Sequence, residues 1–176
     1  TALATDTPVA ERAGAVRPGR YTTVVPNGSD CEVYVTMAGV RRVRGNSAGP
    51  LYMDLPEGTA VSSAGPCTWT LGEPATVQTM PVNGNGMYRV GKEIAVGTYL
   101  ATGSDNCYWE TATDATATLA AVTDGHFGPG PQRIIVDSTD RFLDVEDCGP
   151  LTPLSEPARY LEVHASRATP VWQGRR

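Results

Sequence analysis

One unit is written twice in this chain, and that repeat limits what the chain can fold into. Pro18-Gly19-Arg20-Tyr21 leads to Cys31, and Val96-Gly97-Thr98-Tyr99 leads to Cys107. The tyrosine-to-cysteine steps are ten and eight residues. Downstream, Pro50 to Cys67 and Pro131 to Cys148 both span seventeen residues, which predicts a gapless alignment. That alignment places Met53 on Ile134, Leu55 on Val136 and Val61 on Phe142. The length differences fall between Cys31 and Pro50 and between Cys107 and Pro131, where surface loops are expected. A unit of roughly 60 residues has a marginal core and gains from a covalent staple. Four cysteines permit three pairings. The repeat favours Cys31–Cys67 and Cys107–Cys148, because each copy then closes on itself. Each loop of roughly 40 residues is worth about 4 kcal/mol on the chain-entropy estimate, and less in practice. A zinc site would need closely spaced cysteine pairs, and the sequence has none, so no metal or other cofactor is expected.

Nineteen glycines and fourteen prolines are scattered without period, which predicts many turns and short strands. No window of about twelve residues combines helical apolar spacing with freedom from glycine and proline. Strands are predicted at 20–25, 31–37, 51–55 and 59–62 in the first copy. In the second they are predicted at 98–102, 107–113, 116–123, 132–136 and 140–145. The expected fold is all-β: two tandem small β-sandwich or barrel modules, one intramodule disulfide each, with N- and C-terminal extensions. The expected division is an N-terminal arm (1–16), module 1 (17–82), a hinge (83–87), module 2 (88–154), and a C-terminal strand and tail (155–176).

Tyr88-Arg89-Val90-Gly91-Lys92-Glu93-Ile94-Ala95-Val96-Gly97-Thr98-Tyr99, followed by Asn106-Cys107-Tyr108-Trp109-Glu110, resembles a repeat of exported and surface proteins of actinobacteria and their phages. That repeat runs Val-Gly-x-Asp-Ile-x-Pro-Gly-Thr-Tyr … Cys-Tyr-Trp, then a late strand and a second cysteine. Here Glu93 stands in for the aspartate and Val96 for the proline. The first copy keeps Pro18-Gly19-x-Tyr21 but has Cys31-Glu32-Val33 for Cys-Tyr-Trp. About 60 residues match well and another 50 loosely. The resemblance implies an exported β-module and carries no catalytic residues.

The net charge is −5, and the only basic cluster is Arg41-Arg42-Val43-Arg44, read as a solvated turn flank. Nucleic acid is therefore not an expected partner, since phosphate binding needs a concentrated basic surface. No apolar run is long enough for a membrane-spanning helix. Persistent disulfides predict an extracellular location: a virion surface, or a secreted or cell-envelope setting. The first sixteen residues lack the apolar segment of a signal peptide, so a leader removed before Thr1, leaderless export or a clipped start methionine are the alternatives.

The candidates for chemistry are few. Gly45-Asn46-Ser47-Ala48-Gly49 fits Gly-x-Ser-x-Gly, but a nucleophile elbow needs a strand before it and a helix after it. Pro50 follows here, so a plain loop is expected. His126 and His164 lack a second histidine at ligand spacing and read as surface residues. Asp137, Asp140, Asp144, Glu146 and Asp147 lack calcium-loop spacing and read as solvent-facing acids. Trp69, Tyr108 and Trp109 read as core and inter-module packing, with an aromatic glycan platform as the alternative. In the C-terminal segment, Tyr160, Leu161 and Val163 alternate like a strand. With Trp172 they are the candidate partner-binding residues.

No catalytic residue is assigned, and a non-enzymatic structural or interaction protein is expected. The leading expectation is a virion accessory protein, a decoration or tail component of an actinobacterial phage. It would cement neighbouring subunits of an oligomeric assembly through its terminal arms. The alternative is a secreted actinobacterial cell-envelope protein binding a polysaccharide or another envelope protein. A small hydrolase using Ser47 or a histidine is the third reading.

Overall fold

The computed structural model describes residues 16–74 and 84–154, and within them the protein is all-β. The first unit contains β1 (Gly19–Val25), β2 (Cys31–Met37), β3 (Val40–Asn46), β4 (Gly49–Leu55), β5 (Ala60–Ala64) and β6 (Thr70–Leu71). The second contains β7 (Gly86–Arg89), β8 (Gly97–Ala101), β9 (Tyr108–Ala112), β10 (Val122–Phe127), β11 (Gln132–Val136), β12 (Phe142–Glu146) and β13 (Leu151–Leu154). Antiparallel sheets run in the orders β4-β1-β6 and β3-β2-β5, then β11-β8-β13 and β10-β9-β12-β7. The same pairing scheme thus occurs twice, and β7 is added to the second copy.

The side-chain period of two explains the layering. Along β2, Cys31, Val33 and Val35 are buried while Glu32 is exposed. In both units the glycine-x-tyrosine signature closes a tyrosine corner, a phenol bonded to backbone a few residues upstream. Tyr21 Oη donates to the Arg17 carbonyl at 3.1 Å, and Tyr99 Oη donates to the Ala95 carbonyl at 2.8 Å. The expected disulfides, Cys31–Cys67 and Cys107–Cys148, are both formed, each inside its own unit.

The repeat holds in register with one correction. Met53 faces Tyr21 as Ile134 faces Tyr99, and Leu55 faces Gly19 as Val136 faces Gly97. Val61, however, faces Val35, and the residue facing the equivalent Thr111 is Leu143, not Phe142. The gapless alignment therefore slips by one residue along β5 and β12. It recovers before the second cysteine, because Cys67 follows Ala64 by three residues and Cys148 follows Glu146 by two. A one-residue slip turns every side chain to the opposite face. Phe142 accordingly takes the place of Ala60, on the face away from its own unit's core.

Two further expectations change. Arg41 to Arg44 is not a turn flank but most of β3, and Arg44 is buried. The strand expected over 116–123 begins only at Val122. Before it, the Asp114 carboxylate accepts from the Thr116 N–H at 2.8 Å and from its hydroxyl at 2.6 Å, which fastens a turn instead.

The units share a core. Tyr21, Val33, Leu51, Tyr52, Met53 and Trp69 of the first unit pack with Met87, Ala115 and Phe142 of the second. A separate cluster around Tyr88, Trp109, Ile134, Leu143 and Val145 belongs to the second unit alone. The outer face of the sheet β10-β9-β12-β7 thus completes the first unit's interior. Part of the segment read as a hinge is built in: Asn85 is buried and β7 starts at Gly86.

Candidate functional site: the junction between the two units

Arg44 sits opposite Val33 on β3, at a position where the strand's alternation calls for an apolar residue. Its guanidinium crosses into the second unit instead. Nη1 donates to Asp144 Oδ2 at 2.5 Å and Nη2 to Glu110 Oε1 at 2.8 Å. Asn46, two residues on, donates from Nδ2 to Asp144 Oδ1 and to the Val145 carbonyl, both at 3.2 Å. Burial opposes the Arg44 charge, yet Asp144 and Glu110 hold its pKa above the usual range. Burial pushes Asp144 up to about 6, with Glu110 adding to the shift and Arg44 and Asn46 opposing it.

A second polar network lies across the junction. Arg20 grips Asp54 through Nε at 2.7 Å and Nη2 at 2.8 Å, and its Nη1 reaches Glu73 at 2.8 Å. Glu73 also pairs with Arg89, whose Nη2 donates to Glu93 Oε1 at 2.7 Å. Tyr52 Oη donates to the same Glu93 oxygen at 2.7 Å. Asp54 is tied to the second unit by its own N–H to the Ala115 carbonyl (2.9 Å) and by its carboxylate to the Ala115 N–H (3.0 Å). Burial raises the Asp54 and Glu73 pKa values, but Arg20, helped by the Ala115 N–H at Asp54 and by Arg89 at Glu73, leaves both below the usual range. The guanidinium of Arg20 lies 4.9 Å from the Phe142 ring centroid, a cation–π contact that the strand slip makes available.

Between β3 and the second unit opens a cleft of about 280 Å³, lined among others by Val43, Gly45, Tyr108, Glu110, Leu119 and Glu146. Tyr108 Oη donates to Glu110 Oε2 at 2.5 Å. Burial, with Asp144, Asp147, Asp30 and Glu32 nearby, pushes the Glu146 carboxyl up to about 7. Near neutral pH Glu146 can therefore donate a proton in a hydrogen bond. Arg44 holds the cleft's other acids, Asp144 and Glu110.

The residues singled out from sequence are placed as follows. Ser47 lies in the corner joining β3 to β4, and its Oγ accepts from Asn85 Nδ2 at 2.7 Å. No helix follows it. Gly49, which closes the motif, has φ +80 and faces the Asn85 carbonyl so closely that a Cβ there would collide. His126 is exposed on β10. The acidic stretch does not alternate into solvent: Asp140 and Asp144 are buried, and Asp140 accepts from Thr123 Oγ1 at 2.7 Å. Trp69 and Trp109 are core residues, while Tyr108 lines the cleft. His164 and the candidate partner contacts Tyr160, Leu161, Val163 and Trp172 lie outside the described residues. No group of three or more His, Cys, Asp and Glu side chains arranged to hold a metal occurs among the described residues. Arg20, Arg44 and Arg89 were missed from sequence. For Arg44 the inward position opposite Val33 becomes visible only once β3 is known, because 41–44 read as a turn flank.

Residues 78–152 match the family model of the Rv1352-like extracellular domain. The match spans β7 and nearly all of the second unit, less than half of the 176-residue chain. No curated protein and no solved structure matches the chain. The matched stretch takes in the residues that carry the resemblance noted in the sequence, and it supports an actinobacterial exported-protein family. Together with the two disulfides, it gives the protein an extracellular location.

Proposed function

We propose that this chain is a non-catalytic binding protein of the actinobacterial cell envelope, which holds an envelope polysaccharide at the junction of its two units. The shared core carries this reading. Two stapled units fused through Met87, Ala115 and Phe142 form a rigid support, and clefts lined by polar side chains lie along the seam. Such preformed concave surfaces with converging polar groups are where ligands bind. The non-catalytic part is supported by the commitments of the ionisable groups. Asp144, Glu110, Asp54 and Glu93 are engaged by arginines, and the Ser47 hydroxyl is bonded to Asn85. The extracellular-domain match supports this reading over the virion-accessory one, whose cementing arms fall almost wholly outside the described residues.

The test is cosedimentation of the intact protein with insoluble actinobacterial envelope material, before and after protein is stripped from it. Saturable sedimentation with stripped material, without release of soluble sugar, is expected. Protein left in the supernatant would sink the reading, and released sugar would sink its non-catalytic part.

A further inference from the structure

A pocket of about 340 Å³, sharing no lining residue with the Glu146 cleft, gathers four cations in an otherwise acidic protein: Arg20, Arg89, Lys92 and Arg141. Val90, Thr113 and Phe142 complete its wall. Three separate segments supply the cations. Arg20 comes from β1, Arg89 and Lys92 from β7 and the turn after it, and Arg141 from the residue before β12. The backbone around them is fixed: the Arg141 N–H donates to the Ala112 carbonyl at 2.8 Å, and the Val90 N–H donates to the Arg141 carbonyl at 2.9 Å.

The charges in this pocket do not balance. Asp54 answers Arg20 and Glu93 answers Arg89. Lys92 and Arg141 form no ion pair among the described residues. Between Arg20 and Arg89 sits a single carboxylate, Glu73, accepting from both while its side chain stays 43% exposed. Glu73, on the wall of a neighbouring pocket, occupies the place an incoming anion would take: the Nη1 of each arginine faces its one carboxylate, and the pocket beyond holds two cations without an ion pair among the described residues. Charge-assisted N–H donors from two guanidinium groups suit the oxygens of a carboxylate or a phosphate.

We propose that this pocket binds the anionic group, phosphodiester or carboxylate, of an acidic envelope polysaccharide, with Glu73 as the built-in competitor for the same two arginines. The proposal deepens the binding reading above and rests on it. Lys92 and Arg141 supply the net attraction, Arg20 and Arg89 supply directional hydrogen bonds, and the Thr113 oxygen, whose proton goes to the Ala121 carbonyl, accepts from a sugar hydroxyl. Binding through such contacts weakens with added salt.

The test uses the intact chain, titrated calorimetrically with inorganic phosphate, a phosphodiester-linked glycan, a uronic-acid polymer and a neutral glycan. The acidic polymers should bind and the neutral one should not, and the better of the two acidic arms identifies the anion. Lys92→Gln combined with Arg141→Gln should cut affinity at least tenfold with the thermal midpoint unchanged, because neither side chain has an ion pair among the described residues. Glu73→Gln should tighten binding several-fold by removing the competitor. Equal binding of the neutral glycan, or undiminished affinity in the double variant, overturns the proposal. If the double variant still sediments with envelope material as the native chain does, this pocket is wrong while the envelope-binding reading stands. If the native chain neither sediments nor binds any acidic polymer, both fail.

Discussion

Arg44 stands where its strand would ordinarily place a valine, and the second unit is built to receive it. A buried ion pair is costly to make and more costly to break, because removing one partner strands the other charge away from water. Arg44→Met should therefore destabilise the protein by about 3–5 kcal/mol, read from chemical denaturation. Adding Asp144→Asn and Glu110→Gln to it should recover part of that loss. Glu146 gives a prediction with a definite sign. Its pKa lies near 7 in the folded protein against 4.5 for an ordinary glutamate, so folding takes up a proton between those values. The associated stability is complete below about pH 4.5 and is lost as the pH rises through 7. Discounted for partial solvent access, the effect is of the order of 1–3 kcal/mol. The thermal midpoint should be higher at pH 5 than at pH 8, and Glu146→Gln should flatten that slope.

At the scale of strands, the register slip along β12 decides how the units join. A strand in step with β5 would have turned Phe142 toward its own core and left the outer face without an aromatic anchor. Phe142→Ala should cost about 3–5 kcal/mol, as for other large buried side chains. The damage should reach β4 in the other unit, visible as faster amide exchange at Tyr52 and Met53. The sequence made much of this level legible. The alternating run of β2, the paired glycine-tyrosine turns and the cysteine spacing were enough for the strands around them and for both disulfides. The slip was not legible, because one extra residue before β12 is cancelled by one fewer after it, so the cysteine distances stay equal. Strand β3 was hidden for a different reason. Arginines suggest solvent, and only the positions of Asp144 and Glu110, 100 and 66 residues further along respectively, show otherwise. Likewise the basic pocket is assembled from side chains that no short stretch of sequence holds together.

For the molecule as a whole, the common core means the units should melt as one. Calorimetry should show a single transition whose measured and van't Hoff enthalpies agree, not two steps. Residues 84–154 alone should fold, because their own cluster around Trp109 and Leu143 is complete within them. Residues 16–74 alone should not, since part of their interior is supplied from outside. Far-ultraviolet circular dichroism of the two fragments checks both expectations.

The sharing of Met87, Ala115 and Phe142 has a practical consequence for a protein that works outside the cell, among proteases. A single cut in the chain that joins the two units leaves Met87, Ala115 and Phe142 in the interior the two halves have in common. The nicked halves should travel together on a native gel and part only in denaturant, so proteolysis at the joint would leave the proposed binding surface in service.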